Sequence, residues 1–568
     1  MEARESTVQP FAGNSHLHTL AADSHSLGDT MSNPIPTLRR PPNTGLRSQQ
    51  LAEAPAKLGL PSVVLIAAAI LAGCGGGDDA PPAAAAPQAT AQDLCNGLLG
   101  REFEGAVVTK ATLVAAAGTT PEYCLVRGEM PEDLDFEVRM PTTWNKRTVF
   151  IGGGGFDGSI TTSAFSPGVA QAGYATIATN HGHNADVTPG ATFALDQGML
   201  QDYAYLAVPR VLASAKAILR GRYGSDFDTT KFVYEGCSGG GRQGLIEAQR
   251  YPELFDGVIS RAPANAYTPQ FLWYQKVQKA LAQPGAALSA AKYQAIDNAT
   301  TAKCDALDGV ADHIITRPDL CTFDPAELAC TGAETNSCLT PAQIQSARTL
   351  YAPTDVANGR YKWTGFWPGG EAAGGLSAAA ESFRVSLGQG YIQYMVAQNP
   401  SVDWLQLDPA AYTSRIDQLV TMIDAVNPDL SRFKAHGGKL ILWHGLSDWL
   451  ISPQNTIQYY NSVVQQSGGQ AQADEFVEFY TAPSVQHCLN SFPGTGPVAG
   501  GADLVDLVTP MFAWLEKGIK PSTARIVAKQ TAAGTPGGTR PLCKYPAYPK
   551  YNGSGDINAD SSYTCTAP

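Results

Sequence analysis

The chain has 568 residues, 44% of them hydrophobic, so it is long enough for more than one domain and can bury a sizeable core. Its 39 basic and 51 acidic residues give a net charge of −12, which argues against a protein that binds nucleic acid through a basic face. The 57 glycines and 39 prolines indicate a loop-rich globular fold and fall short of a low-complexity composition.

The first 74 residues have the composition of a leader. Residues 1–57 show no apolar periodicity, and we interpret them as disordered, or as the result of a gene start placed upstream of Met31. The apolar run at 58–72 fits a signal peptide and is too short to span a bilayer. It ends in Leu71-Ala72-Gly73-Cys74, which is similar to a bacterial lipobox, in which the cysteine is acylated.

These features predict an exported protein, periplasmic or an outer-membrane lipoprotein, that meets the membrane only through a lipid on Cys74. A core helix with a free thiol is the alternative. Residues 75–94, rich in Gly, Asp, Pro and Ala, are the predicted tether.

Beyond about Cys95, short β-rich runs alternate with helical ones. Strands are predicted at 148–151, 175–179, 231–235, 257–260, 439–443 and 475–480, and helices at 203–220 and 241–250. This alternation is typical of an α/β fold with a parallel sheet covered on both faces. It stops after about Ala264 and resumes after about Leu430, which predicts an inserted second domain at 265–430 between two parts of the core, 95–264 and 431–568.

The strongest motif is Gly236-Cys237-Ser238-Gly239-Gly240, because it follows a predicted strand and precedes a predicted helix. In that context Gly-x-Ser-x-Gly forms a sharp turn that presents the serine at the head of the helix. An ordinary glycine turn is the alternative. The motif predicts that Ser238 is a nucleophile.

A serine hydroxyl needs a base and an orienting carboxylate, which follow it in the order acid, then histidine, in this kind of site. His444 and His487 come after Ser238 in predicted loops that follow strands, and Asp448 lies between them. The order therefore selects Asp448 as the acid and His487 as the base. His444 is interpreted as a packed loop histidine, with a role as the base as the alternative.

The cysteines fit an exported chain. Of the 11, Cys74 aside, ten remain, an even number that suits five disulfides. A zinc site would need Cys-x-x-Cys pairs, and there are none. Sequence does not fix the connectivity, but near neighbours are Cys95 with Cys124, Cys304 with Cys321, Cys330 with Cys338, and Cys543 with Cys565.

Cys237 and Cys488 remain, and each is adjacent to a predicted catalytic residue. A disulfide between them would fasten the nucleophile turn to the histidine loop. A thiol nucleophile at Cys237 is the alternative, but a residue before the serine of such a turn would point away from the substrate.

Acyl transfer also needs N–H donors for the oxyanion. The run Gly152-Gly153-Gly154-Gly155 follows a predicted strand and can bring a backbone N–H close to a carbonyl oxygen. We predict Gly155 and Gly239 as the two donors; a merely flexible loop is the alternative for the glycine run. His181 and His183 form a His-x-His pair that we interpret as a structural loop, with a metal site as the alternative.

The motif Gly236-Cys237-Ser238-Gly239-Gly240-Gly241-Arg242-Gln243-Gly244, together with His487-Cys488, resembles the tannase and feruloyl esterase family. The similarity runs from about Cys95 to the C-terminus and includes Arg540-Pro541-Leu542-Cys543 and the segment 551–556. The resemblance implies an α/β-hydrolase core with a large inserted lid domain, and a Ser238, Asp448, His487 triad tied by a Cys237 to Cys488 disulfide.

The resemblance also implies a structural Ca2+ in the lid, because residues 304–314 match the family's calcium loop. The implied ligands are the side chains of Asp305, Asp308 and Asp312 and the carbonyls of Val310 and Ile314. Three carboxylates within eight residues would repel one another unless a hard cation took them as ligands. From the residues alone, a solvated acidic turn is nearly as good an interpretation.

The family acts on galloyl esters, feruloyl esters and mono(2-hydroxyethyl) terephthalate, so the resemblance implies a small aromatic ester as substrate. Arg384-Val385-Ser386 resembles the segment whose arginine anchors the terephthalate carboxylate, which makes Arg384 a candidate substrate-binding residue; a surface position in the lid is the alternative. Gly239 and Ile451 depart from the terephthalate pattern, so feruloyl-type esters are predicted first. A surface lipoprotein that binds aromatic ligands without turnover is the competing hypothesis.

Overall fold

A mixed sheet of 11 strands forms the centre of the protein, in a computed structural model that describes residues 89–184, 190–372, 378–488, 501–531 and 538–568. The strands are, in chain order, β1 (Glu102–Phe103), β2 (Ala106–Val114), β3 (Tyr123–Met130), β4 (Leu134–Pro141), β5 (Arg147–Ile151), β6 (Ala175–Thr179), β7 (Lys231–Cys237), β8 (Gly257–Arg261), β9 (Thr354–Val356), β10 (Tyr361–Trp363), β11 (Lys439–Gly445), β12 (Val477–Ala482), β13 (Val527–Lys529), β14 (Thr539–Pro541), β15 (Cys543–Lys544), β16 (Tyr548–Tyr551) and β17 (Tyr563–Thr566).

The α-helices lie between and around these strands. They are α1 (Ala91–Asn96), α2 (Gln197–Gln201), α3 (Ala207–Tyr223), α4 (Gly239–Arg250), α5 (Tyr267–Leu281), α6 (Ala290–Cys304), α7 (Pro341–Tyr351), α8 (Ala378–Gly390), α9 (Thr413–Ile423), α10 (Ser431–Ala435), α11 (Pro453–Gln466), α12 (Gln470–Ala473) and α13 (Val508–Lys517). No helix in these described ranges is long and apolar enough to cross a membrane.

The sheet order is β1-β2-β3-β4-β6-β5-β7-β8-β11-β12-β15. The central strands from β6 to β12 pair in parallel, which confirms the predicted parallel sheet there. The antiparallel strands β1 to β4 and the antiparallel edge strand β15 were not predicted from the sequence. The predicted parallel sheet is therefore the central part of a larger mixed sheet, which antiparallel strands extend on both sides.

Side chains alternate between two apolar layers because successive residues of a strand point to opposite faces. In β5, Phe150 packs with α3 and α4, whereas Val149 and Ile151 pack with α13 on the other face. In β11, Leu442 and Trp443 divide in the same way. Both faces of the central strands are thus buried, as the alternation of strands and helices predicted.

The inserted segment, residues 265–430, separates β8 from β11 in the chain. Its helices and the β9–β10 hairpin build their own aromatic-rich apolar cluster, which also takes in residues from the core such as Phe156 and Trp449. The described residues belong to one compact unit, so this segment packs on the same body as the sheet.

Five disulfides form with the pairs suggested by the sequence: Cys95–Cys124, Cys237–Cys488, Cys304–Cys321, Cys330–Cys338 and Cys543–Cys565. Such a set is typical of exported proteins. Cys74 and the leader lie outside the described residues. The predicted tether at 75–94 is wrong at its end, because α1 already begins at Ala91 behind a capping box on Thr90.

Candidate active site

The residues predicted for catalysis lie at one edge of the sheet. The glycine loop follows β5, Ser238 follows β7, Asp448 comes after β11 and His487 comes after β12. Because these strands are parallel and neighbouring, their carboxyl ends meet at the same edge. This is where open α/β sheets place their ligand sites.

Ser238 occupies the sharp turn that the motif predicted. Its backbone has φ 64° and ψ −124°, a conformation that is costly for a residue with a side chain, and it caps the N-terminus of α4. Two hydrogen bonds hold it there: its N–H donates to Arg261 O at 3.0 Å, and its carbonyl accepts from Ala264 N at 3.1 Å. A Cβ added at Gly236 would lie 2.7 Å from the Gly240 carbonyl, so the turn requires glycine there.

Asp448 is buried and its carboxylate is fully engaged. Oδ1 accepts from the backbone N–H groups of Leu450 and Ile451, both at 3.0 Å. Oδ2 faces Nδ1 of His487 at 2.7 Å. Burial by itself would raise the pKa of Asp448, but the charge and hydrogen bonds of His487 and His444 outweigh it, so the pKa lies below its ordinary value.

His487 is held on both sides. The Cys237–Cys488 disulfide, with its Cα atoms 5.9 Å apart, joins the residue before Ser238 to the residue after His487. The histidine loop also lies directly on the acid strand, since Ser447 N donates to Val485 O at 3.0 Å. A Cβ added at Gly445 would come within 2.3 Å of that same carbonyl, so glycine is needed for this close approach.

His444 contacts the acid as well, which the sequence did not predict. It lies on β11 and not in a loop, so that part of the prediction was wrong. Its Nε2 is 3.2 Å from Asp448 Oδ2 and 3.1 Å from Ile451 O, and its Nδ1 is 2.8 Å from the Thr456 hydroxyl. The ring is packed, as expected, and lies behind Asp448 as a support of the carboxylate.

The glycine loop lies against the nucleophile turn. A Cβ added at Gly239 would be 3.3 Å from Gly155 N and 3.0 Å from Gly155 O, and one at Gly240 would be 2.4 Å from Gly153 O. The backbones of the two predicted oxyanion donors, Gly155 and Gly239, are therefore neighbours. Glycine is required for this approach at Gly240, where an added Cβ would clash with the Gly153 carbonyl.

Two further residues, Tyr203 and Asp157, contact this loop, and neither was predicted from the sequence. The Tyr203 hydroxyl donates to Gly155 O at 3.1 Å, and Asp157 N donates to Gly154 O at 2.9 Å. Tyr203 lies in a π-helical turn, Asp202–Leu206, where a helix from 203 had been predicted. Such turns often occur at functional sites, but the apolar spacing of the sequence does not reveal one.

The His-x-His pair lies below the same loop. His181 Nδ1 contacts Asp157 Oδ2, and the His183 ring stacks on Phe193 with centroids 4.0 Å apart. Burial lowers the pKa of His183. Within the described residues no group of three or more His, Cys, Asp or Glu side chains is placed to hold a metal ion.

Arg384 lies on α8 in the inserted segment and is only 1% exposed, so the alternative of a surface position is wrong. Burial lowers the pKa of its guanidinium, and its nearest influences include the phenols of Tyr274 and Tyr293. The Tyr274 hydroxyl in turn donates to Leu450 O at 2.8 Å, two residues beyond Asp448. Arg384 thus lies near Tyr274, whose hydroxyl contacts the loop that carries Asp448.

The predicted calcium loop brings its three aspartates near one another. Asp305 accepts from the N–H groups of Asp312 and His313, at 3.2 and 2.9 Å. Burial, followed by repulsion from Asp312 and Asp305, raises the pKa of Asp308 to about 6. Arg540 and the Tyr563 hydroxyl lie 2.7 and 3.0 Å from Asp312 Oδ2 and supply part of the compensation. The oxygen donors suit Ca2+, although their side chains do not converge on one point.

Comparisons with known proteins agree with this geometry. The mono(2-hydroxyethyl) terephthalate hydrolase of Piscinibacter sakaiensis is 30% identical, over 81% of this chain and 87% of that protein. A probable feruloyl esterase of Arthroderma benhamiae is 31% identical, over 75% of this chain and 81% of that protein. The crystal structure of feruloyl esterase B from Aspergillus oryzae superposes with a TM-score of 0.73 at 25% identity, covering 84% of this chain and 100% of that chain.

The family model for tannase and feruloyl esterase matches residues 120–566, which includes every predicted catalytic residue and the whole inserted segment. The core is an α/β-hydrolase fold. The chain therefore belongs to the tannase and feruloyl esterase family of carboxylic ester hydrolases.

Proposed function

We propose that the protein hydrolyses esters of aromatic carboxylic acids, first of all feruloyl-type esters, through an acyl-enzyme on Ser238. The observation that carries this proposal is the linkage of three elements: the strained turn at Ser238, the 2.7 Å contact of His487 with Asp448, and the disulfide that joins the neighbours of Ser238 and His487. A chain that only bound ligands would have no use for this arrangement.

The chemistry follows from the geometry. Because Asp448 holds Nδ1 of His487, Nε2 is the nitrogen that takes the Ser238 proton as Oγ adds to the ester carbonyl. The N–H groups of Gly155 and Gly239 receive the oxyanion. His487 then gives its proton to the departing alcohol. Water repeats the sequence on the acyl-enzyme, with His487 again as base, and releases the acid.

Aromatic side chains beside the catalytic elements favour an aromatic acyl group. Phe366 of the inserted segment stacks on Trp449, next to Asp448, with ring centroids 5.0 Å apart. Phe156, Phe193 and Tyr203 form a second group beside the glycine loop. Flat apolar walls of this kind match a substrate ring.

The test compares methyl ferulate with mono(2-hydroxyethyl) terephthalate, with products separated by chromatography. We expect ferulate release by the purified protein and none by Ser238→Ala. A fluorophosphonate probe should label the folded protein and not the variant. If the folded protein were neither labelled nor active on either ester or on a galloyl ester, the binding-protein hypothesis would replace this one.

The second candidate is hydrolysis of mono(2-hydroxyethyl) terephthalate, the activity named for the Piscinibacter sakaiensis relative. One observation favours it: Arg384 is buried in the inserted segment, near Tyr274, whose hydroxyl donates to Leu450 O in the loop that carries Asp448. A guanidinium there suits a substrate carboxylate. Arg384→Gln should raise KM for the terephthalate ester and leave methyl ferulate unaffected if this candidate is right.

We also propose that Ca2+ binds the loop of Asp305, Asp308 and Asp312, with the carbonyls of Val310 and Ile314. Support comes from the repulsion among the three carboxylates, which a cation would relieve. When bound, Ca2+ would supply a structural crosslink next to the Cys304–Cys321 disulfide. Added Ca2+ should raise the melting temperature of the chelator-treated protein, and Asp308→Asn should abolish that rise.

We further propose that a lipid on Cys74 anchors the protein to the membrane after export. The lipobox-like sequence before Cys74 and the five disulfides support it. Metabolic labelling with a clickable fatty acid should mark the protein and not Cys74→Ala. Equal labelling of both forms would contradict the anchor.

A further inference from the structure

Two successive peptide units of the glycine loop are each fixed by a hydrogen bond to their carbonyl. The Gly154 carbonyl accepts a hydrogen bond from Asp157 N at 2.9 Å, and the next carbonyl, Gly155 O, accepts from the Tyr203 hydroxyl at 3.1 Å. The C=O of Gly154 and the N–H of Gly155 belong to one planar, trans peptide and point in opposite directions. The bond from Asp157 therefore sets the direction in which the Gly155 N–H points.

The side chain of Asp157 ties this turn to the nucleophile helix. It is fully buried, and Oδ2 accepts from Gln243 Nε2, on α4, at 2.8 Å. On the other side His181 Nδ1 contacts the same oxygen. Asp157 thus links the turn that aims the Gly155 N–H to the helix whose first residue is Gly239.

Tyr203 is tied to the same helix. Arg242, also on α4 and fully buried, donates to the Tyr203 carbonyl at 3.0 Å, and its guanidinium lies 5.0 Å from the Tyr203 ring centre. The Tyr203 and Tyr267 hydroxyls are 2.6 Å apart, so Tyr267 can donate to Tyr203 while Tyr203 donates to Gly155. Burial raises the pKa of Tyr203 to about 12, so the hydroxyl keeps its proton at the pH of an assay.

We propose that Asp157 and Tyr203 are positioning residues of the oxyanion hole: through Gly154 and Gly155 they hold one N–H donor in register with the second donor on α4. The inference rests on the proposed function, in which Gly155 and Gly239 receive the oxyanion. Neither side chain needs to touch the substrate. An oxyanion hole works only if its donors already point at the place where charge develops, so the rigidity of this loop has a catalytic use.

The experiment separates transition-state binding from ground-state binding. The variants are Tyr203→Phe, which removes only the hydroxyl, and Asp157→Asn, which keeps the shape and removes the charge. Tyr459→Phe is the matched control, because it also removes a buried phenol hydroxyl, one that contacts Gln249 and Asn427 away from the glycine loop. For each full-length chain, kcat and KM for methyl ferulate are measured, together with the inhibition constants of phenylboronic acid and ferulic acid.

Phenylboronic acid probes the oxyanion hole because Ser238 Oγ adds to its boron. The adduct is a tetrahedral boronate whose new negative charge occupies the place of the oxyanion, while the serine proton passes to His487. We expect Tyr203→Phe and Asp157→Asn to lower kcat about 10-fold and to weaken boronate binding by a similar factor. This is less than the 10²- to 10³-fold loss on deleting a donor. KM and ferulic acid binding should stay within about 2-fold, and Tyr459→Phe should match the wild type.

The inference is overturned if kcat is unchanged in both variants, or if boronate and ferulic acid affinities fall together, since that is the pattern of general damage. Circular dichroism and the melting temperature identify a variant that fails to fold; for such a variant Tyr267→Phe, which removes the donor to Tyr203, should give a smaller loss of the same kind. Ser238→Ala reports separately on the proposed function. If it kept wild-type activity, the nucleophile would be wrong, whatever the other variants showed.

Discussion

At Asp448 a single carboxylate faces two histidines, and the distances assign them different roles. His487 Nδ1 is 2.7 Å from Oδ2, whereas His444 Nε2 is 3.2 Å from that atom and shares its contact with Ile451 O. His444 also lies on a central strand with 0% exposure, where a substrate cannot reach it. We therefore propose that His444 orients the acid and that His487 acts as the base.

Substitutions at the three residues should therefore differ in size. His487→Ala and Asp448→Asn should each lower kcat about 10⁴-fold, the range known for triad members. His444→Phe should cost about 10-fold, because Asp448 keeps its two backbone donors and His487. Single-turnover rates of the three variants measure these losses. Equal losses at His444 and His487 would mean that the two roles cannot be separated.

The proposed triad could be identified from local signals: Ser238 by its flanking glycines, Asp448 and His487 by their order after strands, and Ser238 and His487 also by the cysteine beside each. Tyr203 and Asp157 could not, since their partners are distant in sequence: Tyr203 contacts Gly155 across 48 positions, and Asp157 contacts Gln243 across 86. No local pattern records such contacts. His444 was assigned to a loop because the predicted strand ended at Trp443, whereas β11 continues to Gly445.

The Cys237–Cys488 disulfide joins the nucleophile turn to the histidine loop. Its partners are 251 positions apart, so it also closes by far the longest loop among the five disulfides. Cys330–Cys338, by contrast, spans 8 positions in the inserted segment. We therefore expect the Cys237–Cys488 bond to stabilise the fold and to hold the two catalytic loops together. We expect the Cys330–Cys338 bond to do much less of either.

Removing the first bond should weaken both properties. Cys237→Ala with Cys488→Ala should lower the free energy of unfolding by about 2 to 5 kcal/mol and kcat by about 10-fold or more. Cys330→Ala with Cys338→Ala is the matched control and should keep kcat within about 2-fold. Denaturant unfolding and steady-state kinetics decide the matter. An unchanged kcat in the first double variant would show that packing alone holds the two loops in register.

The inserted segment also contacts the loop that carries Asp448 and Trp449. The segment Gly369, Gly370 and Glu371 lies on it, with Trp449 Nε1 donating to Gly369 O at 3.1 Å. Glu371 is fully buried and accepts from Gly369 N at 2.8 Å and from the Tyr351 hydroxyl at 2.7 Å. Burial, and next the charge of Asp297, raise the pKa of Glu371 to about 7.

This raised pKa predicts a pH dependence with a definite sign. Because the folded state binds the Glu371 proton more tightly than the unfolded state, its stabilising effect is complete below pH 4.5 and is lost as pH rises through about 7. Between pH 5 and pH 8 the melting temperature of the wild type should therefore fall more than that of Glu371→Gln, by about 2 to 4 °C. Exposed Glu129→Gln should follow the wild type. Parallel curves for all three would mean that Glu371 does not change its charge over this range.

Strands β2 and β3 were not predicted from the sequence. Buried and exposed residues alternate along most of β2 and β3, but a register shift between Val108 and Lys110 interrupts the alternation in β2. Apolar residues themselves do not alternate, since Val107 is exposed beside Val108 and Leu125 is adjacent to Val126, so a period of two in hydrophobicity does not reveal these strands. The buried parallel strands were found because their apolar runs are continuous. The π-turn at Asp202–Leu206 has no comparable sequence pattern.

Over the whole molecule, the disulfides are distributed so that each large part holds at least one. Cys95–Cys124 fastens α1 to β3, two bonds lie in the inserted segment, Cys543–Cys565 joins β15 to β17, and Cys237–Cys488 crosses the active site. Together they account for all ten cysteines after Cys74. Such a set of disulfides suits export to an oxidising compartment.

The chain from Gly75 onward should therefore contain no free thiol when it is exported to the periplasm of an expression host, and ten after reduction in denaturant. The same chain made in a reducing cytosol should show several free thiols, a lower melting temperature and reduced ester hydrolysis, because the loops of Ser238 and His487 are then joined only by packing. Thiol titration under denaturing conditions, paired with methyl ferulate kinetics, measures both. Glutathione-mediated oxidation of the cytosolic protein should restore activity as the thiol count falls. Full activity with ten free thiols would contradict a requirement for export, and would leave the disulfides as a source of stability alone.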